Sequence, residues 1–506
     1  MKKISLLIFA VLSVFTGVTA QNVDDALRYS QIFYGGTARF MSMGGAFTAL
    51  GGDISSLSQN PAGIGVFRSS ELTITPQMAH IKTSAGFNGT STDYLYNFNL
   101  SQAGIVSNII SNNKETGLIT LNIGYSFNKT NNLNQSIMIQ GVSNTSSMAD
   151  YWAGLGNIGN NGTGTFYKDL QGAEGIAFDT WVMDTVTGSG GKKFATALSN
   201  YGDNPPSKYG QTVRRLISND GYTGEHAISI GGNYSNKIFF GATFGISELR
   251  YTSSYEHLET TTTGMPSLFK NFTYTDYFQD KGTGYTIKIG AIIKPVDALR
   301  IGIAFHSPTW YKIDEYHYND ITSNFTDGGH YESNNDPARY NYALDTPWRL
   351  LTGVAVQIKK LLLVSVDYEY VDYSTAQFRQ TGDNFDYTEK NAAIKSSLKP
   401  VSNVRLGGEL RLNNLYLRTG YGYYGKAFSS GDANSNLDYS SISFGAGFRE
   451  QNLSIDFAFT NYNYSQKYFL YPGSIDYQGN TIDAASASLN TIRNMFTLTF
   501  GYKFGI

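Results

Sequence analysis

The chain has 506 residues, a formal net charge of −2 and no cysteine. The charge offers no electrostatic basis for binding nucleic acid, and the lack of cysteine excludes disulfides, thiol catalysis and cysteine-based metal sites. A hydrophobic fraction of only 41%, with 37 tyrosines, 31 phenylalanines and 54 glycines, predicts strands in which apolar and polar residues alternate.

The amino-terminal residues have the pattern of a secretory signal peptide. A basic start at Lys2 and Lys3 precedes an apolar run that ends at Phe15, and small residues lead to Ala20. We therefore expect residues 1–20 to be cleaved and the mature chain to be exported. Beyond this leader the sequence has no run of about eighteen apolar residues, so none of its apolar runs is long enough to form a membrane helix.

A glycine-rich stretch occupies residues 39–68. Its glycines, among them Gly44 and Gly45, permit turns and close backbone approach. Asp53 can cap a short helical turn, and Pro61 ends that turn because the residue before a proline is pushed out of the helical region. Such a compact, mostly uncharged segment cannot bury itself alone. We expect it, with the polar residues before it, to lie inside a container formed by the rest of the chain.

From residue 71 onward the sequence alternates between apolar and polar residues. Period-two alternation predicts a strand with one apolar and one polar face. In the third run, Ile119, Leu121, Ile123, Tyr125 and Phe127 oppose Thr120, Asn122, Gly124, Ser126 and Asn128. A similar run reaches the end of the chain, where Phe496, Leu498, Phe500, Tyr502, Phe504 and Ile506 share one face.

The number and spacing of these runs indicate a barrel in a bacterial outer membrane. Fourteen candidate strands begin near Glu71, Tyr94, Gly117, His226, Lys237, Gly284, Ala298, Thr346, Leu361, Val401, Leu415, Tyr439, Leu453 and Thr491. Very short links, such as Asn413-Asn414, alternate with long polar links, such as residues 472–489. Short turns on one side and long loops on the other are typical of outer-membrane barrels, which have an even number of strands. We predict an all-β fold, a 14-stranded antiparallel transmembrane β-barrel over residues 69–506.

Charged residues fall on the faces opposite the apolar ones. They are Lys288, Arg300, Arg349, Asp367, Glu369, Arg405, Glu409, Arg411, Arg418, Arg449, Asp456 and Lys503. A charge on the lipid side costs about 2–4 kcal/mol at mid-bilayer, so these faces should line the lumen. The main interpretation is a salt-bridged lining that holds a plug. The alternative is carboxylate binding by one or two of Arg300, Arg349, Arg405, Arg411 and Arg418, since guanidinium matches a carboxylate fork.

A long segment at about residues 142–224 interrupts the strand order. It shows little period-two pattern and some helical character at residues 191–199 and 212–218. Long loops of this kind are usually functional or mobile, and we place this one outside the cell as a cap over the barrel mouth. The six histidines show no metal-ligand spacing, and we expect no metal and no cofactor.

Four features of the chain together resemble the FadL/TodX family, outer-membrane transporters of long-chain fatty acids and other hydrophobic molecules. They are the leader, the segment from Ala38 to Phe47, the Asn60-Pro61-Ala62-Gly63 motif and the fourteen strands. The resemblance implies a barrel plugged by an amino-terminal hatch, here residues 21–68. The family's hatch motif falls on Asn60, Pro61 and Ala62, to which, with Gly44 and Gly45, we assign the gating role.

The resemblance also implies a route for the substrate. Family members bind substrate in an apolar groove of the extracellular loops and pass it to an internal pocket. Hatch rearrangement and a gap in the third strand then release it sideways into the membrane. In this chain the third strand runs into residues 128–134, where the alternation stops, and this run is the counterpart of the gap.

Our hypothesis is passive transport of hydrophobic, fatty-acid-like molecules across the outer membrane of a Gram-negative bacterium, without catalysis. The expected partners are the hydrophobic substrate, the lipid bilayer and the barrel-assembly machinery, with no nucleic acid, and we expect a monomer. Two alternatives stay open. A gated porin for small polar solutes predicts permeability to sugars. A surface receptor or adhesin, for haem for example, predicts tight binding without uptake.

Overall fold

The computed structural model describes residues 21–112, 115–158, 170, 172–188, 191–198, 209–262, 268–382 and 385–505. The predicted signal peptide, residues 1–20, lies outside these residues.

Within the described ranges, fourteen antiparallel strands form a closed barrel. In chain order they are β1 (Ser70–Gly86), β2 (Thr90–Ser111), β3 (Leu118–Asn132), β4 (Gln211–Tyr234), β5 (Ile238–Thr260), β6 (Phe269–Val296), β7 (Leu299–His306), β8 (Arg349–Ile358), β9 (Leu362–Asp372), β10 (Pro400–Leu412), β11 (Leu415–Tyr424), β12 (Tyr439–Glu450), β13 (Leu453–Tyr471) and β14 (Ala485–Phe504). β14 pairs with β1 from Phe504–Ser70 to Ser488–Gly86, which closes the sheet on itself. The predicted fold class is confirmed.

The alternation of the sequence places the apolar side chains on the outside of the wall. Ile287 on β6 is 52% exposed, while Lys288, the next residue, is 2% exposed and faces the lumen. Ile301 and Val366 are likewise exposed on β7 and β9. This arrangement suits a barrel whose outer solvent is lipid.

Turns of two or three residues join most of the strand pairs at the periplasmic end of the barrel. The turn after β4 holds Ser235 and Asn236 at φ of 54° and 55°, and Asn413, after β10, has φ of 55°. Left-handed backbone of this kind matches the twist of tight hairpins, and serine and asparagine tolerate it better than bulky residues.

Several strands continue beyond the lengths predicted from the sequence. β4 begins at Gln211 rather than near His226, and β6 begins at Phe269 rather than near Gly284. The added residues lie on the extracellular side of the lipid-facing segment. There both faces of a strand meet water or protein, so the alternation that marks a membrane strand is absent.

A row of ring side chains marks the outer limit of the lipid-facing surface. The ring residues Phe127, His226, Tyr285 and Trp310 are aligned across adjoining strands, with Ile246 as the register partner between His226 and Tyr285. Beyond this row the outward positions become polar, with Glu248 and Arg250 on β5 and Lys281 on β6. We call it the outer aromatic row, since such belts lie at the membrane–water interface.

The remaining elements lie in the hatch segment or on the extracellular side. The helices are α1 (Val23–Ser30), α2 (Ala38–Ser42), α3 (Met148–Ile158), α4 (Ala173–Asp179) and α5 (Thr388–Ser397), and three 3₁₀ turns span Ile54–Ser58, Pro61–Val66 and Tyr373–Thr375. The other strands are Gln135–Ser143, Met183–Gly188, Gly191–Thr196, Trp310–Phe325, His330–Asn334, Ala338–Asp345, Gln377–Gln380, Ser474–Ile475 and Thr481–Ile482. None of the helices in the described part of the chain is both long and apolar enough to cross a membrane.

The helices of the long interrupting segment are not where the sequence suggested. Residues 191–196 form a strand, and residues 212–218 belong to β4, so both helical predictions are wrong. β4 also ends the irregular segment at residue 210 instead of about residue 224. The alternation of β4 is not recognisable from the sequence because the charged residue Arg215 occupies a buried inward position. There its guanidinium donates to the Leu470 carbonyl at 2.6 Å.

The helix α3 of this segment packs onto the extended strands above the membrane. The ring of Trp152 lies 5.5 Å from that of Phe272 and 5.1 Å from that of Tyr274. Glu259 of β5 accepts the first helical N–H, that of Met148, at 2.8 Å, as a carboxylate at a helix N-terminus should. These contacts fix the segment to the extracellular extension of the barrel, where a cap is expected.

Candidate functional site

The hatch segment, residues 21–68, is a mostly buried run of short helices and turns held by side-chain caps. Asn22 and Asp25 form a reciprocal capping box at the start of α1, with hydrogen bonds of 3.0 and 3.2 Å. Asp53 accepts the N–H of Ser55 at 2.9 Å and caps the turn that follows it. The sequence predicted this cap, and the turn that it starts is a 3₁₀ helix.

Asn60 ties the two 3₁₀ turns of the hatch to the barrel wall. Its Oδ1 accepts the N–H of Ala62 at 3.0 Å. Its Nδ2 donates to the Thr48 carbonyl at 2.6 Å and to the Ala291 carbonyl of β6 at 3.4 Å. Pro61 begins the second turn, a position where its missing N–H would have no helical partner. The motif is therefore a fixed corner of the plug.

Gly44 and Gly45 turn the hatch chain back on itself at the wall. Their φ angles are 62° and 73°, in the left-handed region that favours glycine. A Cβ on Gly44 would also lie 3.0 Å from the Leu406 carbonyl oxygen and 3.0 Å from Tyr421 backbone atoms. Both the turn and the close contact with β10 and β11 therefore require glycine.

Inward-facing glycines of the wall allow the hatch to make direct backbone contact with the barrel. A Cβ on Gly290 would lie 1.9 Å from Asn60 Oδ1, and one on Gly241 would lie 2.3 Å from the Pro61 carbonyl oxygen. Eight further wall glycines would place a Cβ at 2.9 Å or less from a hatch atom: Gly104, Gly124, Gly231, Gly302, Gly353, Gly407, Gly420 and Gly445. We call these ten residues the glycine belt.

Charged side chains of the lumen bind the hatch backbone. Asp367 of β9 accepts the Thr48 N–H at 2.8 Å and the Thr48 hydroxyl at 2.7 Å. Lys288 of β6 donates to the Ser58 carbonyl at 2.7 Å and lies 2.5 Å from Glu225. Buried charges require such partners. These contacts support the interpretation of the charged residues as a lining that holds the plug.

Three of the five candidate carboxylate-binding arginines already have carboxylate partners. Arg349 and Arg405 both pair with Glu369, at 2.5 and 2.8 Å. Arg418 pairs with Glu409 at 2.7 Å. An incoming carboxylate would have to displace a buried glutamate from each of them.

The other two arginines lie towards the periplasmic end. Arg300 donates to the Leu50 carbonyl of the hatch at 2.7 Å. Arg411, on the same face of β10 as Glu409, is exposed beside the turn at Asn413 and lines the periplasmic mouth of the lumen together with Arg300. β10 ends one residue later, past the lower edge of the hatch, where the lumen opens to water.

The barrel wall is open between β2 and β3. Their pairing stops at Gln102–Asn128, although both strands continue towards the extracellular side. The wall closes again higher up, where Ser91 donates to the Met138 carbonyl at 2.5 Å and Gln135–Ser143 continues along β4. We call this opening the window. The run of residues 128–134, where the sequence lost its alternation, lies at its edge.

The hatch segment crosses the window on the lumenal side. The Phe33 N–H donates to the Thr130 carbonyl at 2.8 Å, and the Gly35 N–H donates to the Lys129 carbonyl at 2.7 Å. A Cβ on Gly35 would lie only 2.7 Å from that Lys129 oxygen. Hatch residues thus take the place of the β2 partner that β3 lacks here.

A cavity of about 1120 Å³ adjoins the window. Its lower lining is apolar and lipid-facing, and consists of Leu72, Ile74, Leu100 and Ile105. Its upper lining is polar and includes Lys129, Asn134 and Asp220. The lining therefore changes from apolar to polar along the membrane normal. The volume of the cavity exceeds that of most small-molecule sites.

A carboxylate cluster joins α1 to the extracellular end of the lumen, above the outer aromatic row. The Tyr29 hydroxyl donates to Asp280, and Gln21 donates to Glu315 at 3.3 Å. Burial and the nearby Asp25 raise the pKa of Asp280 to about 7. Burial and the Asp280 charge raise the pKa of Glu315 to about 9. Protonation of these carboxyl groups therefore favours the docked helix.

The described ranges contain no group of three or more histidine, aspartate or glutamate side chains placed to hold a metal ion. The buried histidines have protein partners. His257 bonds to Glu259 at 2.9 Å, and burial together with Arg215 lowers its pKa to about 4. His306 bonds to the Gln59 carbonyl of the hatch at 2.7 Å.

A comparison with known families identifies the family of this chain. A family model described as outer membrane protein transport protein (OMPP1/FadL/TodX) matches residues 223–504, more than half of the chain. The chain belongs to this family. It is an outer-membrane β-barrel transporter of hydrophobic compounds, which confirms the resemblance and the localisation read from the sequence. A search of curated proteins found no match.

Solved structures share the fold of this OMPP1/FadL/TodX member. A FadL homologue of Pseudomonas aeruginosa has a TM-score of 0.56 at 14% identity, over 94% of this chain and 100% of that one. The toluene transporter TodX of P. putida has a TM-score of 0.51 at 11% identity, over 93% and 99%. At such low identity the likeness concerns the fold alone.

Sequence reasoning missed the glycine belt of this OMPP1/FadL/TodX chain. The available signal was a glycine at an inward position on strand after strand, for example Gly231, Gly241 and Gly290, which are register partners on β4, β5 and β6. Glycine weakens an ordinary strand and often marks the close approach of another backbone. The pattern therefore predicts that another backbone segment lies in direct contact with the inner face of the wall.

Proposed function

We propose that the hatch segment keeps the barrel closed to water and that hydrophobic molecules leave the protein sideways, through the window, into the outer leaflet. The observation that carries this proposal is the end of β2–β3 pairing at Gln102–Asn128 beside a cavity whose lower lining is apolar and lipid-facing. Transfer of apolar surface from the lumen to lipid avoids its exposure to water, and movement down a gradient requires no chemistry. The transport of toluene by the P. putida relative supports apolar substrates.

We further propose that the gate is the short stretch of residues 31–36 rather than the whole hatch. It is held at the window by the Phe33 and Gly35 hydrogen bonds and by Gly36, whose N–H donates to the Ser101 hydroxyl at 3.1 Å. Each such bond contributes about 1 kcal/mol net, so this stretch can be released at modest cost. Asn60, Pro61 and Ala62 sit against the glycine belt and act as the fixed support of the gate.

Site-specific blocking of the window tests the lateral route. Asn99→Cys places a thiol in the cavity lining, and the lack of native cysteines makes labelling specific. Labelling with a bulky maleimide before reconstitution should abolish uptake of a hydrophobic substrate into proteoliposomes. The control is Val354→Cys with the same label, on the lipid-facing side of β8 away from the window. Full uptake by the labelled Asn99→Cys protein would contradict the lateral route.

A further inference from the structure

The periplasmic mouth of the lumen contains a cavity of about 240 Å³ directly below the hatch. The hatch chain at Leu50, Gly51 and Gly52 forms its roof, and residues of β7 to β12 and of their turns form its walls. Glu409 is the single carboxylate among the described residues of the lining. Charge of one sign in a cleft concentrates ions of the other sign, so this cavity attracts anions. Five positively charged side chains line it: Arg39, Arg300, Lys360, Arg411 and Arg449.

The carboxylates of the protein next to this cavity are already bound. Glu409 lies 2.9 Å from Arg39 Nε and 2.7 Å from Arg418 Nε. Asp456, on the neighbouring strand β13, lies 2.6 Å from Arg418 Nη1. The charges of Glu409 and Asp456 also act on Arg449, but neither carboxylate makes an ion pair with it. The positive charge of the cavity is therefore in excess.

The Arg449 guanidinium is held in place without an anion. Its Nε is buried and has no hydrogen-bond partner among the described residues. Its Cζ lies 4.7 Å from the centroid of the Tyr416 ring, and Arg411 Cζ lies 5.6 Å from the same centroid. Glu71, a further acid whose charge reaches Arg449, lies 3.9 Å from Lys503. Two guanidinium groups thus share one aromatic ring at the cavity, and neither has a carboxylate partner in the described part of the chain.

Arg300 adds a third guanidinium group, from β7. Its Nη1 donates to the Leu50 carbonyl at 2.7 Å, a contact that fastens the roof of the cavity to the wall. A guanidinium carries five N–H donors in a planar fork, so this hydrogen bond leaves most of the donors for a ligand. Three such forks on one cavity suit an anion with several oxygens and more than one negative charge, because a single negative charge would leave most of the positive charge unbalanced.

We propose that this cavity binds a small multivalent oxyanion of the phosphate class from the periplasm, with Arg300, Arg411 and Arg449 as its ligands. The lining side chains point into the lumen rather than to lipid, so the source is a dissolved ion and not a lipid head group. The bound ion joins β7, β10 and β12 under Leu50 and holds the lower side of the hatch in place. The site lies on the periplasmic side of the hatch, so it does not depend on the lateral route through the window.

The test measures binding of inorganic phosphate to the full chain in a neutral detergent, by calorimetric titration at neutral pH and constant ionic strength. We expect saturable binding to the wild-type protein. Arg449→Gln and Arg411→Gln should each weaken this binding about tenfold, which corresponds to about 1.4 kcal/mol. The matched control is Arg250→Gln, which changes an exposed arginine above the outer aromatic row and should bind phosphate as the wild type does.

A second measurement reports on the contact with the hatch. Saturating phosphate should slow hydrogen exchange at the amides of residues 50–52 in the wild type and not in Arg449→Gln. Heat-modifiable migration in gels shows that each variant barrel is folded, which separates a lost site from a lost fold. Phosphate binding that leaves exchange at residues 50–52 unchanged would refute the role of the ion in holding the hatch.

Each other outcome has a defined meaning. Wild-type protein without saturable binding would overturn the proposal, and so would equal binding of chloride at the same ionic strength, which indicates screening rather than a site. An equal loss in Arg250→Gln, or no loss in Arg449→Gln and Arg411→Gln, would overturn it too. Binding that appears only when an anionic phospholipid is added would assign the cavity to a lipid head group and would also refute the proposed dissolved ion.

Discussion

At Gly290 the barrel wall and the hatch are so close that a methyl group has no room between them. Its added Cβ would lie 1.9 Å from Asn60 Oδ1, the atom that caps the second 3₁₀ turn. Gly408, also in a wall strand, differs because its nearest added contact is Thr419 Cγ2 at 3.7 Å, an ordinary van der Waals distance. Of these two wall glycines, Gly408 therefore has room for a methyl group and Gly290 has none.

Gly290→Ala should displace the Asn60 corner of the hatch while the barrel still forms. Overpacking typically costs about 1–3 kcal/mol, and here the clash falls on the hatch rather than on strand pairing. Hydrogen exchange of the amides of residues 59–66 should accelerate in the variant. The matched control, Gly408→Ala, should exchange as the wild type does. Unchanged protection in Gly290→Ala would show that the hatch is not seated on the glycine belt.

At the scale of elements, α1 is docked to the lumen wall by carboxyl groups that are protonated in the docked state. Asp280 has an ordinary pKa of 3.8 and a pKa of about 7 in the folded protein. Because this pKa is raised in the folded protein, the contribution of protonated Asp280 to the docking of α1 is complete below pH 3.8 and is lost as the pH rises through about 7. Ionised Asp280 would then face Asp25 of α1 across a poorly solvated contact.

Raising the pH from 6 to 9 should therefore loosen α1 from the lumen wall. A spin label at position 23 should become more mobile over this range, with a midpoint near the pKa of Asp280. Asp280→Asn keeps an oxygen for the Tyr29 hydroxyl but cannot ionise, so it should remove the transition. The same transition at the same pH in Asp280→Asn would rule out Asp280 as its source.

At the scale of the whole molecule, the hatch decides whether the barrel is a sealed or an open passage. Below the window the wall strands pair with one another around the full circle, so closure of the barrel at that level does not depend on the hatch. The hatch fills the lumen at the level of the glycine belt and binds the inward charges. Its removal should leave a folded barrel with a polar lumen.

Deleting residues 31–67 should convert the protein into an aqueous channel. Liposomes containing the variant should swell rapidly in a small neutral sugar, and liposomes containing the full chain should not. Heat-modifiable migration in gels would confirm that both barrels are folded. Rapid swelling with the full chain would favour the gated-porin alternative, and no swelling with the deletion variant would mean that other groups seal the lumen.

The local pattern of the sequence determined the fourteen strands, their apolar and polar faces and the cap at Asp53 within the hatch. Alternation is a property of neighbouring residues, and lipid penalises a misplaced charge strongly enough to make the pattern clear. The pattern weakens where the solvent changes, which is why the extracellular extension of β4 was not predicted.

Only the tertiary structure decided which residues meet across the barrel. The Arg349–Glu369–Arg405 group and the contact of the glycine belt with Asn60 both join residues that are far apart in sequence. Such contacts depend on strand register and on closure of the sheet, because a one-residue slip would turn every side chain to the opposite face. The sequence alone determines which side chains face inward, and barrel closure determines which of them find partners.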